Sequence, residues 1–147
     1  MTASDDPKGR EAAGQEVQPA SPVCYAAEAS DAYMGFAPPD ELARELNILL
    51  EAERAGALVA ASLVREAPDA VFRALAETIR ADEVRWCRAL IQALDAIPAE
   101  PSEQVGDFHG KAMAIPDPQA RLAFVNRGQA WVVRRLQALL PRVRDDR

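Results

Sequence analysis

From about residue 40 onward, apolar residues return every three to four positions, the period of a helix that buries one face. In the first such stretch the stripe is Leu42, Leu46, Leu49, Ala57, Ala60 and Val64, with Glu53 near its centre and Glu51 pointing roughly the opposite way. In the second it is Phe72, Ala76, Ile79, Trp86, Cys87, Leu90, Leu94 and Ile97, with Glu83 near the middle. In the third it is Leu122, Val133, Leu136 and Leu140, interrupted by Asn126 and Gln129. No strand-like alternation and no Asn-Gly hairpin turn interrupts the pattern, so the chain is predicted to be all-α: a bundle of three long helices plus short helical segments.

Punctuation sets the limits of these helices. The first begins at the Pro38-Pro39-Asp40-Glu41 cluster, where fixed proline φ angles and early carboxylates suit a helix N-terminus, and runs to about Arg65. Pro68-Asp69 breaks the chain, and the second helix runs from about Asp69 to Ile97, stopped by Pro98 and Pro101. Asp117-Pro118 opens the third in the N-cap and N1 positions, and it continues to about Val143. The linker between the second and third carries Gly106, Gly110 and a short apolar patch of Phe108, Met113 and Ile115. Residues 1 to 21 are polar, Pro- and Gly-bearing and aperiodic, and are expected to be a disordered tail. Residues 22 to 147 form one domain, and its first stretch, Pro22 to Phe36, is expected to pack on the bundle as a short helix or arm.

Each long helix thus aims polar side chains at the core, and Glu53, Glu83, Asn126 and Gln129 are expected to converge there. A buried carboxylate without a partner costs several kcal/mol. The candidate suppliers are the amides of Asn126 and Gln129, an arginine such as Arg54 or Arg127, or a bound metal. A mononuclear set of Glu53, Glu83, Cys87 and His109 would combine soft and hard ligands. His109 is the only histidine of the chain and lies in the linker. The far side of the third helix carries a second apolar strip, Phe124, Gly128 and Trp131, flanked by Arg127, Arg134 and Arg135. Either the arm or the Phe108 to Ile115 patch covers it, or it is an interface with a second copy or another protein, where Trp and Arg are favoured anchors.

Composition adds three limits. The 147 residues are 49% hydrophobic and 27% charged, ordinary for one globular domain. The longest uncharged apolar run, Ala55 to Val64, is about half a bilayer crossing and no leader pattern opens the chain, so a cytoplasmic protein without a membrane partner is expected. Two widely separated cysteines, Cys24 and Cys87, read as free thiols. The net charge of −6 is uneven: from Asp117 onward seven arginines face three aspartates, a net of +4, which leaves −10 on the residues before it. The basic helix is expected to complement acidic neighbours in its own bundle or a partner subunit, and nucleic acid is not the expected partner.

A glutamate on a first long helix and another on the second, both facing inward, resemble the ferritin-like di-iron bundles such as the rubrerythrins. The runs LNILLEAERAGA, ADEVRWC and RLAFVNRGQAWVVRRL are also similar to an uncharacterised bacterial family of ferritin-like domains, over most of the chain from about Ser21. The resemblance implies a ferritin-like fold, with Glu53 in the place of the first-helix ligand and Glu83 as the glutamate of a second-helix Glu-x-x-His. Trp86 stands where that motif has histidine, and the third helix offers Asn126 and Gln129 in place of acids. GxSxG, glycine-rich phosphate loops and HExxH are absent from the sequence. The expected role is therefore that of a non-catalytic or degenerate ferritin-like bundle with a buried polar core, structural or interactive, working as a dimer and needing no cofactor. The alternative is a metal-binding protein carrying iron, manganese or zinc, with oxidoreductase chemistry.

Overall fold

The computed structural model describes residues 30–144. The expected tail, Cys24 and most of the expected arm lie outside the described residues. Among the described residues four α-helices follow in order: α1 (Pro39–Arg65), α2 (Ala70–Ala96), the short α3 (Phe108–Met113) and α4 (Pro118–Leu139), with a 3-10 turn at Leu140–Arg142. Among the described residues there is no strand, and no helix is long and apolar enough to cross a membrane.

The punctuation acts where the sequence places it. Pro39 sits in the first turn of α1 beside Asp40 and Glu41. The Asp69 side chain accepts from the Phe72 backbone N–H at 2.7 Å, and Asp117 accepts from that of Ala120 at 2.8 Å, each satisfying a donor that the helix leaves open. The linker patch is more ordered than its composition suggests, because Phe108 to Met113 wind into α3 with Ala112 fully buried.

Helix α1 is the axis of the fold. It packs against α2, α3 and α4, whereas α2 and α4 flank it and meet each other only through side chains. Its packing on several sides follows from its sequence, in which Ala52, Ala55, Gly56, Ala57, Ala60 and Ala61 let neighbouring backbones approach closely. The side of α1 away from α2 is polar and carries the linker. The Asn47 amide donates to the Glu100 carbonyl and its oxygen accepts from the Ser102 N–H, while Arg54 donates to the carbonyls of Ser102 and Gln104, both at 2.7 Å. Gly106 donates to the Glu51 carbonyl at 3.0 Å, and a Cβ there would sit 3.1 Å from that oxygen, so glycine permits the approach.

The apolar core falls into two clusters. One gathers Leu46, Leu49 and Leu50 of α1 with Leu90, Leu94 and Leu139. The other gathers Val59 and Leu63 with Phe72, Ala76, Ala112 and Val125. Near one end of the bundle, ion pairs join α4 and the 3-10 turn after it to α1: Arg135 reaches Glu45 at 2.8 Å, and Arg142 reaches Glu41 at 2.7 Å. At the other end Arg121, 4% exposed, donates twice to the Ile115 carbonyl, once to the Ser62 hydroxyl and once to Glu66 at 2.9 Å. The basic last helix thus complements acidic residues of α1 within the same chain.

Burying Arg121 sets the phase of α4 and corrects the expected stripe. The buried residues are Arg121, Val125 and Leu139, with Val132 and Leu136 packed beside the first cluster, whereas Val133 is 51% exposed and Leu140 and Asn126 are exposed. On α2, Trp86 likewise stands 49% exposed under the Arg85 guanidinium instead of joining the core. Arg121→Ala strips four donated hydrogen bonds from a buried site and should lower stability by about 3 kcal/mol in urea denaturation. Arg85→Ala, which removes an exposed pair with Asp82, should stay within about 0.5 kcal/mol of the parent.

A buried carboxyl pair beneath an open cleft

Between the two apolar clusters lies a polar layer. Glu53 of α1 and Glu83 of α2 are 7% and 4% exposed and lie beside each other. The Gln129 amide of α4 donates to Glu83 Oε1 at 3.1 Å. Gly56 makes the layer possible, since a Cβ at that position would stand 2.7 Å from the Glu83 carboxyl carbon. Two carboxyls can hydrogen-bond to each other only if one keeps a proton, because two adjacent buried anions would repel with little water to screen them. Burial first, then the hydrogen bond to Glu83 and its charge, push Glu53 up to about 9, so at neutral pH it holds that proton. Among the described residues no buried side-chain nitrogen or oxygen lacks a hydrogen-bond partner.

Three of the four residues expected in the polar core are therefore brought together, Glu53, Glu83 and Gln129. Asn126 is not, because it points to solvent on the turned α4. Arg54, considered as a partner for the carboxyls, is instead spent on linker carbonyls. The proposed metal set is not assembled either: among the described residues no three His, Cys, Asp or Glu side chains stand together as ligands. Cys87 lies near the pair, and burial followed by the charge of Glu53 pushes its thiol up, away from the thiolate that binds metal or attacks. His109 sits on α3, half-buried, with its backbone N–H bonded to Gly106. The di-iron ligand set implied by the ferritin-like resemblance does not fit these residues, for exposed Trp86 and exposed Asn126 occupy positions where that set needs ligands.

The second apolar strip of α4 is covered from within the chain over part of its length. The Phe108 ring of α3 stacks on Phe124, with centroids 4.8 Å apart and planes 5° from parallel, and a Cβ at Gly128 would meet that ring at 2.7 Å. Phe124 and Gly128 are thereby removed from the interface expected there, and Arg135 is engaged by Glu45 while lying over Trp131. Trp131, Arg127 and Arg134 remain at the surface.

These three residues edge a cleft of about 850 Å³ between α1, α4 and the linker with α3. Glu53, Glu83 and Gln129 line it, together with Phe108, Phe124 and Val132, and Lys111 stands on the α3 side. Sequence reasoning missed the cleft because it depends on where the linker lies, and the only signal for that was the polar face Asn47, Glu51 and Arg54 on α1.

The fold and the layer define an all-helical domain with a proton-sharing carboxyl pair at its centre. The chain belongs to the family described as Domain of unknown function (DUF6306), which matches residues 40–147. No curated protein and no solved structure matches it.

Two outcomes test the layer. In an exposed helix Gly→Ala stabilises by about 0.5–1 kcal/mol, but Gly56→Ala must displace the Glu83 carboxyl and should instead destabilise by about 1–3 kcal/mol in urea denaturation. Stability should also fall with pH. Glu53 ionises near 4.5 when unfolded and near 9 when folded, so between these values the folded chain holds the extra proton. Stability is then full below about pH 4.5 and declines as pH rises toward 9, by at most about 1.4 kcal/mol per pH unit. Denaturation midpoints across that range should show the slope in the parent and lose it in Glu53→Gln.

Proposed function

We propose that this domain is a degenerate ferritin-like bundle in which a shared proton, not a metal, offsets one of the two central carboxylate charges, and that its role is structural or interactive. The observation that carries this reading is that Glu53 and Glu83 are buried together at the centre of the bundle, with the Gln129 amide donating to Glu83. In a metal centre two such carboxylates would be balanced by cations; here the proton and the Gln129 amide do that work, and the remaining ligand positions hold residues unsuited to it. The layer separates two apolar clusters and admits one alignment of α1, α2 and α4, which is a register function. A homodimer is part of the reading, since exposed Trp86, Val133 and Leu140 offer apolar surface for a second copy.

Elemental analysis of untagged protein purified without chelator, beside Glu53→Gln and Glu83→Gln, tests the proposal, with the solution mass taken by light scattering on the same samples. Metal-free parent protein and a Glu53→Gln variant as stable as the parent at neutral pH, or more so, are expected. Near-stoichiometric iron, manganese or zinc that disappears in both variants would establish the metal-binding alternative instead.

A further inference from the structure

The two ends of the cleft differ in charge. Its inner end is the Glu53–Glu83 pair, which carries one negative charge while it holds one proton. Its mouth carries Lys111, Arg127 and Arg134, none of which forms an ion pair among the described residues. Arg127 lies over the Phe124 ring at 5.4 Å, which holds its guanidinium beside the opening. Two other carboxylates line the cleft. Glu51, which accepts from the Ser102 hydroxyl, and Asp107 offset two of the three positive charges and leave the mouth with a net charge of +1. Between mouth and floor the wall is apolar, built from Trp131, Val132 and the stacked Phe108 and Phe124.

We propose that the cleft binds a small zwitterion of the ω-amino acid class, its ammonium group on the Glu53–Glu83 pair and its carboxylate held at the mouth by Lys111, Arg127 and Arg134. A volume of about 850 Å³ lies within the range of small-molecule sites, about 300–1,000 Å³. A simple organic anion satisfies the mouth and leaves the buried negative floor without a counter-charge. A diamine satisfies the floor and sets its second ammonium among three cations. Only a molecule with both charges, separated by a methylene chain that the aromatic wall can cover, complements the two ends together. The inference goes beyond the register role and does not depend on it, because the pair faces the cleft whether or not the bundle is ferritin-like.

The test is titration of the full-length, metal-free protein with β-alanine, γ-aminobutyrate and ε-aminocaproate. Trp131 fluorescence, assigned with Trp131→Phe, and calorimetry give the readouts, and butyrate, caproate and putrescine serve as single-ended controls. Saturable binding with an optimum at one chain length is expected, with the controls at least about tenfold weaker. The double variant Lys111→Gln, Arg134→Gln alters only surface side chains and should weaken binding by at least about tenfold. Glu83→Gln should weaken it similarly, and where Glu83→Gln loses the fold by circular dichroism, the advantage of γ-aminobutyrate over butyrate on the parent protein reads the floor in its place. Absence of saturable binding at every chain length, monocarboxylates binding as tightly as their amino counterparts, or affinity unchanged in the double variant would each overturn the proposal.

Discussion

Two carboxyl groups buried together in the middle of an apolar core constrain everything around them. Glu53 and Glu83 come from different helices and are both more than nine-tenths buried. Neither can be left alone, since an unpaired carboxylate at that depth would cost several kcal/mol. They cannot both be charged either, so one proton must be held between them. That requirement fixes the height of α2 along α1 at the level of Gly56, the residue whose missing side chain leaves space for the Glu83 carboxyl. It also fixes α4, which must bring an amide to the same level, and Gln129 does so. Apolar packing alone tolerates sliding of one helix past another; a polar pair with a single partner set does not.

The remaining contacts work outward from that level. The leucine cluster packs on one side of the pair, and the Val59, Leu63 and Phe72 cluster on the other. The ends of α4 are then fastened by arginine pairs with Glu41, Glu45 and Glu66 of α1 and its C-terminus. Arg121 is the most consequential of these, because its guanidinium is buried and distributes its donors over Ile115, Ser62 and Glu66. Removing water from a guanidinium is costly, and the cost is offset only when its N–H groups are met, as they are here.

The helix limits were legible because they depend on local chemistry: proline at first turns, aspartate at N-caps, prolines after the last turn. Glu53 and Glu83 were legible as inward-facing because α1 and α2 bury wide, regular stripes, so a polar residue at the centre of a stripe stays at the centre after small rotations. The α4 pattern was ambiguous, with apolar residues on two sides, and its phase was decided by a tertiary event, the burial of Arg121. A rule that keeps arginine on the surface rotates the helix the wrong way, turning Asn126, Val133 and Leu140 inward when they lie outward. The linker failed for a similar reason. Its docking relies on backbone carbonyls and N–H groups meeting Asn47, Glu51 and Arg54, and backbone groups leave no trace in residue identity.

The position of the carboxyl pair links the architecture to its use. If register were all that the centre of this bundle required, apolar side chains of similar volume would fill it at equal or greater stability, because a buried polar pair seldom repays its desolvation. A closed apolar layer would also leave no reason for a cleft to reach the middle of the domain. Here the cleft does reach it, and the pair that interrupts the core also lines the opening. Cations stand at the other end of the same opening, Lys111 on α3 and Arg127 and Arg134 on α4, the helix whose Gln129 is tied to the pair. The alignment of α1, α2 and α4 and the spacing of the charged groups along the cleft are therefore set by the same hydrogen bonds, so the structural role of Glu53, Glu83 and Gln129 cannot be separated from the shape of the surface they present.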